Sequence, residues 1–345
     1  MASNNSMQTP LVMLNDGYDV PLVGLDNGMF YFIQIPAVVC LVMSFICALS
    51  TIISSFWSHP AGEFYARWTR GERLVVYMSI CDLLSSISLL VNHLQVLITK
   101  MHARPKGLCA FFGVITTEFM LAQILMVNVV AINIFAMMFF NTKISFGKFD
   151  SGILVWSFGV PFIGALIAAL LEQFGPMVLV CHFDAVNGKV GGLVLITIPL
   201  TTIMVVNVLL YILTFIKIRI EVIAARECLG KMTSTAHRHI RAARNMSMFV
   251  VSLFVQWSII ALVGTWVMFG DKSSRLPEIL YFFIIVLTNI GGVLNLIVYL
   301  AIFKKTKLTS KMATDMESRK THSFSDNNKT PAYGSGQGNE EFEFN

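Results

Sequence analysis

The chain has 345 residues, 55% of them hydrophobic and only 13% charged, with a mean hydropathy of +0.70. An ordinary soluble domain carries about 25% charged residues, so the composition excludes one. The formal net charge of +5 sits in short connections between apolar runs, which excludes a nucleic-acid-binding surface as its cause.

Residues 1–29 form a short amino-terminal segment with no Lys or Arg. It lacks a basic start followed by an apolar core, so no cleavable signal peptide is expected. Seven apolar runs follow, at 30–56, 74–99, 109–140, 152–171, 190–216, 246–269 and 277–302. A spanning helix needs about 20 mostly apolar residues, and each run reaches that length. Lipid offers no partner to a backbone polar group, so the spans are predicted to be helices. The expected fold is an all-α integral membrane bundle of seven transmembrane helices over 30–304. Residues 305–345 are polar, rich in Ser, Thr, Asn and Glu, and are expected to be a disordered tail.

Cytoplasmic segments of a membrane protein are enriched in Lys and Arg. The first connection carries Arg67, Arg70 and Arg73, and the third Lys143 and Lys148. The fifth, from Lys217 to Arg244, carries seven basic residues, and the tail another seven. These nineteen lie on one side of a seven-span chain. The other side holds six: Lys100, Arg104, Lys106, Lys189, Lys272 and Arg275. The expected topology places the amino terminus outside and the tail in the cytoplasm, in the plasma membrane. Asn4-Asn5-Ser6 is then a glycosylation sequon on the outer side, with Asn4 the candidate acceptor.

That topology sorts the six cysteines. Cys40, Cys47 and Cys81 lie within spans and Cys228 in a cytoplasmic connection. Cys109, at the outer start of the third span, and Cys181, before the fifth, remain on the oxidising side, where disulfides persist. A Cys109–Cys181 disulfide would hold that loop across the mouth of the bundle; two free buried thiols are the alternative.

The polar residues inside the spans are few. Asp82 is the sole Asp among them. A carboxylate at mid-membrane costs about 2.5–3.5 kcal/mol on insertion scales and marks a functional site by default. A protonated Asp82 holding one interhelical hydrogen bond is the structural alternative. Asn92, His93 and Gln95 near the outer end of the second span could line a pocket mouth, or form interhelical bonds. Glu118 lies in the outer half of the third span, where ligand contact competes with the fourth helix or the interface. Asn128 and Asn133 read as interhelical glue. Pro36, Pro161 and Pro199 can kink their helices; Gly264, Gly291 and Gly292 could loosen theirs, and close helix packing explains these glycines equally well.

A seven-helix chain with its amino terminus outside, Cys109 opening the third span and Cys181 before the fifth resembles the G-protein-coupled receptors. Asp82 in Ser79-Ile80-Cys81-Asp82-Leu83-Leu84, Trp156, Pro199 and Trp257 match residues of that family's second, fourth, fifth and sixth helices. Asn295-Leu296-Ile297-Val298-Tyr299 looks like its seventh-helix Asn-Pro-x-x-Tyr motif, with Leu296 in place of Pro. The third span ends Ala131-Ile132-Asn133-Ile134-Phe135, where rhodopsin-like members carry Asp/Glu-Arg-Tyr, and Ile259 stands where a kinking Pro is usual. Trp156 to Pro161, Phe174-Gly175 and Gly291 to Asn295 look more like the cAMP-receptor-like branch, itself similar to the secretin and adhesion receptors.

The resemblance implies a switch at Asp82 with Gln123, Asn295 and Tyr299, with water or a sodium ion near the carboxylate. It implies pocket-facing roles for Thr116, Thr117 and Met120, and a pocket floor at Trp257. With Asn92, His93 and Glu118 these are the ligand-pocket candidates. Arg238, Arg241 and Arg244 recur every third residue and form a stripe for either a G-protein surface or anionic lipid. Ser318, Thr321, Ser323 and Ser325 are candidate phosphosites for a receptor kinase and arrestin.

The expected function is therefore signal transduction: an extracellular ligand is bound and a heterotrimeric G protein is activated, with no catalytic residues, no nucleic-acid partner and no metal site beyond that sodium ion. A retinal protein needs a Lys within the seventh span, and 277–302 has none. A membrane zinc hydrolase needs a His/Asp cluster, and only His93 lies in a span. A transporter built on seven helices is the remaining alternative; it would show internal repeats or broken helices around a midplane site, and no repeat is visible.

Overall fold

A computed structural model describes residues 15–58, 60–140, 142, 144, 146–229, 234–269 and 277–301; for 58, 221–222, 224–229, 234–246, 267–269 and 278 it describes the backbone alone. Helices dominate. They are α1 (Phe30–Ser58), α2 (Arg70–Thr99), α3 (Lys106–Phe139), α4 (Ser151–Leu154 continuing through Val160–Leu170), α5 (Lys189–Gly192 continuing through Ile198–Leu229), α6 (Ser234–Phe269) and α7 (Glu278–Asn289 with Gly291–Ala301). Six are long and apolar enough to cross a membrane, and the bent α7 pair makes a seventh. The chain is an all-α bundle of the multi-pass membrane kind, as its apolar runs predict. Met1–Tyr299 and Leu300–Asn345 cluster as two separate units.

Several helices run past their apolar segments, because polar residues complete their ends. Thr69 caps α2: its side chain accepts from the Glu72 N–H, while the Glu72 carboxylate accepts from the Thr69 N–H at 2.8 Å. This capping box starts the helix four residues before the apolar run. Lys100 closes it in the left-handed conformation, with φ of 54°.

The bundle is apolar outside and mixed inside. Along α1, Gln34, Ala37, Leu41, Ser44, Ala48, Thr51 and Ser55 are all buried, at the three- and four-residue spacing of one helix face. Ile35, Val39, Met43, Ile46 and Ile53 on its other faces are about half exposed. Lipid is as apolar as a leucine side chain, so small and polar residues, not large apolar ones, mark the packed face.

The prolines act unequally. Pro36 lies inside an unbroken α1. Wide π turns span Val155–Gly159 and Leu193–Thr197, shortly before Pro161 and Pro199. A proline has no N–H to give the preceding turn, and a π turn re-registers the ladder around that gap.

The connections at one end of the bundle are ordered by a two-stranded sheet. β1 (Phe174–Pro176) pairs antiparallel with β2 (Cys181–Phe183). Cys181 is disulfide-bonded to Cys109 at the start of α3, so the bonded alternative is the one realised. Between the strands, Leu179 packs with Ile33 and Ala37 of α1 and Ile285 of α7. The hairpin therefore reaches from α3 across to α1 and α7. Residues 15–25 cover the same end. The Gly17 N–H donates to both Asp184 oxygens, at 2.8 and 3.1 Å, and the Tyr18 hydroxyl to Ala103 O at 2.9 Å. A Cβ at Gly17 would lie 2.2 Å from Pro176 O, so only glycine allows this approach. Leu22 completes the cover against Phe30 and Val96.

Candidate functional site: a buried polar junction at the break in α7

Asp82 is almost wholly buried in α2. Its Oδ1 accepts from Gln123 Nε2 of α3 at 2.6 Å. Its Oδ2 accepts from Asn295 Nδ2 of α7. Both carboxylate oxygens are thus engaged, by two different helices. This goes beyond the single bond of the structural alternative and joins three of the four expected members. The fourth, Tyr299, is buried one turn further along α7.

The break in α7 explains why the junction sits here. The two α7 segments meet at Ile290 with a 42° bend. A break in a membrane helix frees backbone groups that lipid cannot satisfy. Two side chains answer them. Gln256 Nε2 of α6 donates to Thr288 O at 3.2 Å, and the Gly292 N–H donates to Ser44 Oγ of α1 at 2.7 Å. At Gly291 a Cβ would come within 2.5 Å of both Asp82 Oδ1 and Gln256 Nε2; at Gly292 it would lie 2.2 Å from Ser44 O. The two glycines therefore serve close approach as well as bending. Five helices, α1, α2, α3, α6 and α7, meet in this one polar cluster.

A hard cation needs oxygen ligands. Each Asp82 oxygen accepts one amide N–H, from Gln123 and from Asn295, and keeps a second lone pair, so a water or a sodium ion beside the carboxylate would be held on those remaining lone pairs.

The ligand-pocket candidates divide. Thr117 Oγ1 lies 3.1 Å from His182 Nε2 of β2, directly under the hairpin. Thr116 meets Ser88 of α2 at 3.4 Å. Met120 is buried. His93 does not open onto a mouth: its Nδ1 pairs with Gln34 Oε1 of α1 at 2.6 Å. The physical reason is the small, polar α1 face, which brings Gln34 against α2. Asn92, Glu118 and Trp257 are buried, and both Asn92 amide atoms, Glu118 Oε2 and Trp257 Nε1 have no hydrogen-bond partner among the described residues. Buried polar atoms of this kind are held by water or a ligand in most proteins. Asn128 donates to Asn207 Oδ1 of α5 at 3.0 Å, as interhelical glue should.

A second buried cluster lies at the opposite end. Arg73 at the start of α2 donates from Nε and Nη2 to the two oxygens of Asp150, at 2.5 and 2.9 Å, and from Nη1 to Trp68 O at 2.7 Å. Asp150 precedes α4 in a left-handed conformation, as does Phe149, with φ of 55° and 60°. The bidentate pair ties α2 to this bent connection.

Sequence reasoning passed over Gln256, Ser44, Gln34, Asp150, Asp184 and His182. Gln34 and Gln256 carried a usable signal, as amides within apolar runs; Ser44 and Asp150 carried none. Asn4 and the tail phosphosites lie outside the described residues, and Arg238, Arg241 and Arg244 lie on α6 where the backbone alone is described. Neither a scan of protein-family models nor a search of curated proteins returns a match for this chain.

Proposed function

We propose that this protein is a receptor that turns the binding of an extracellular ligand into activation of a heterotrimeric G protein, on a bundle of the G-protein-coupled kind. The observation that carries the reading is the Asp82 junction. A buried carboxylate, bonded from α3 and α7 and seated on a break stabilised from α1 and α6, couples five helices at one point. A change in packing at the outer end must rearrange or keep those bonds, which is what a two-state bundle requires. The disulfide-tethered hairpin and the unsatisfied buried groups at Asn92, Glu118 and Trp257 favour ligand reception at the covered end.

On this reading the amino terminus is outside and the tail cytoplasmic, from the bias of nineteen basic residues against six. Ligand favours one packing, the cytoplasmic end of α6 meets the G protein, and arrestin and a receptor kinase act at the tail. No catalytic step is assigned. A transporter is the second reading, because a broken helix beside a buried carboxylate is also how transporters build a midplane site. A ligand screen with a G-protein activation readout in cells separates the two: agonist-dependent activation supports the receptor. Substrate accumulation without activation supports the transporter. Epitope tags at each end test the topology; tail staining in intact cells would overturn it.

A further inference from the structure

An open groove of about 480 Å³ runs along the outside of the bundle between α3 and α4, a volume within the range of ligand sites. Val129 and Ile132 of α3 line one wall, and Trp156 of α4 the other. Ile132 and Trp156 are 40% and 50% exposed, so both face outward from the bundle. The π turn at Val155–Gly159 carries Trp156. One end of the groove is floored by Phe146, Ser151 and Gly152, in and just after the connection that leads into α4.

That end is basic. Arg70 Nη1 donates to Ile144 O at 3.1 Å, and its guanidinium lies 5.6 Å over the Phe146 ring. Lys148 sits two residues from Phe146, its ammonium 5.3 Å over Phe149. Among the described residues no carboxylate pairs with Arg70 or Lys148, whereas Arg67 is bonded to Glu63 and Arg73 to Asp150. The site thus has a mainly apolar, outward-facing trough with one unneutralised guanidinium over its Phe146 floor and a second unneutralised cation, Lys148, next in the chain to its Gly147 lining. The exposed Tyr65 packs edge-on against Phe149, next to Lys148, and Tyr and Trp are the aromatic residues enriched where a bundle meets headgroups.

We infer that the α3–α4 groove binds one anionic phospholipid, its headgroup against Arg70 and Lys148 and an acyl chain along Val129, Ile132 and Trp156. The charge selects the headgroup and the trough the chain. In the proposed topology this end faces the cytoplasmic leaflet, where anionic lipids reside. The binding itself does not depend on G-protein coupling, so it stands or falls apart from the receptor reading.

The test is lipid retention by the full-length protein in detergent, loaded with equal phosphatidylserine and phosphatidylcholine of the same chains and read by native mass spectrometry. A basic residue near anionic headgroups is worth about 5-fold in binding, so wild type should retain phosphatidylserine at least about 5-fold over phosphatidylcholine. Arg70→Gln with Lys148→Gln should bring that ratio to about 1. Arg70→Lys with Lys148→Arg, which keeps both charges, should preserve it. Arg67→Gln, on the same side but outside the groove, should leave it unchanged. Ile132→Trp should lower retention of both lipids by filling the trough. Glycerophosphoserine, the headgroup without chains, should not compete. Equal retention of the two lipids by wild type, no loss in the double Gln variant, or an equal loss in Arg67→Gln would overturn the site. Competition by glycerophosphoserine would make it a soluble-anion site, and full retention by Ile132→Trp would remove the chain from the groove; either result also overturns it.

Discussion

Asp82→Asn is the sharpest probe of the junction. The substitution keeps the size of the side chain, but an amide has one accepting oxygen where the carboxylate has two. Both Asp82 oxygens now accept from amide nitrogens, Gln123 Nε2 and Asn295 Nδ2. The variant can keep one of these bonds; its own NH2 then faces the other donor. A hydrogen bond to a charged group contributes about 1.5–3 kcal/mol, so the packing that makes both bonds should lose that much. If the active packing makes only one, the ratio of the two packings shifts by roughly 10- to 140-fold. GTP exchange in membranes, basal and ligand-stimulated, at matched surface protein, reads the shift directly. Exchange within 2-fold of wild type in both conditions, together with lowered thermal stability, would refute the switch and leave Asp82 as a structural tie between α2, α3 and α7.

Three further outcomes follow from particular contacts. Asp150→Ala removes one half of a pair whose side chains are only 9% and 7% exposed, leaving the Arg73 charge buried; the cost should be about 3–5 kcal/mol. Arg73→Met with Asp150→Leu should recover much of it in a thermal-stability assay, and equal instability of single and double variants would contradict the assignment. The Cys109–Cys181 bond closes a separation of 72 residues, so Cys181→Ser should destabilise the protein by about 4 kcal/mol on the loop-entropy account; peptide mapping that finds both thiols free at the cell surface would refute the bond. Burial pushes the His182 imidazole down to about 4, so the folded hairpin favours the neutral ring. That contribution is complete above the ordinary value of about 6.5 and is lost as pH falls from there toward 4. Hydrogen exchange in β2 should rise over this window, and His182→Gln should flatten the rise.

Much of the fold is legible in the chain because the governing rule is local. About 20 apolar residues must be helical in lipid wherever they pack, so seven runs announce seven spans. The Cys109–Cys181 bond was legible for a related reason: once the spans are counted, only two thiols remain on one side. Asp82 announced itself by the expense of a carboxylate in an apolar run. Its partners did not. Gln123 and Asn295 follow only from the family resemblance, and nothing local tells a serine at 44 that it will cap a broken helix 248 residues later.

The break at Ile290 illustrates the limit. Leu296 stands where a proline would have signalled a bend, and the adjacent glycines fit close packing equally well. What makes the bend tolerable is Gln256 and Ser44 supplying hydrogen bonds from two other helices. Likewise Arg73 and Asp150 each look like ordinary interface charges until a left-handed turn brings them together, and His93 looks free to line a pocket until the small α1 face delivers Gln34. Span count follows from the solvation of single segments, which the order of residues determines by itself. Which polar group meets which depends on the rotation and approach of whole helices, and only the tertiary packing decides that.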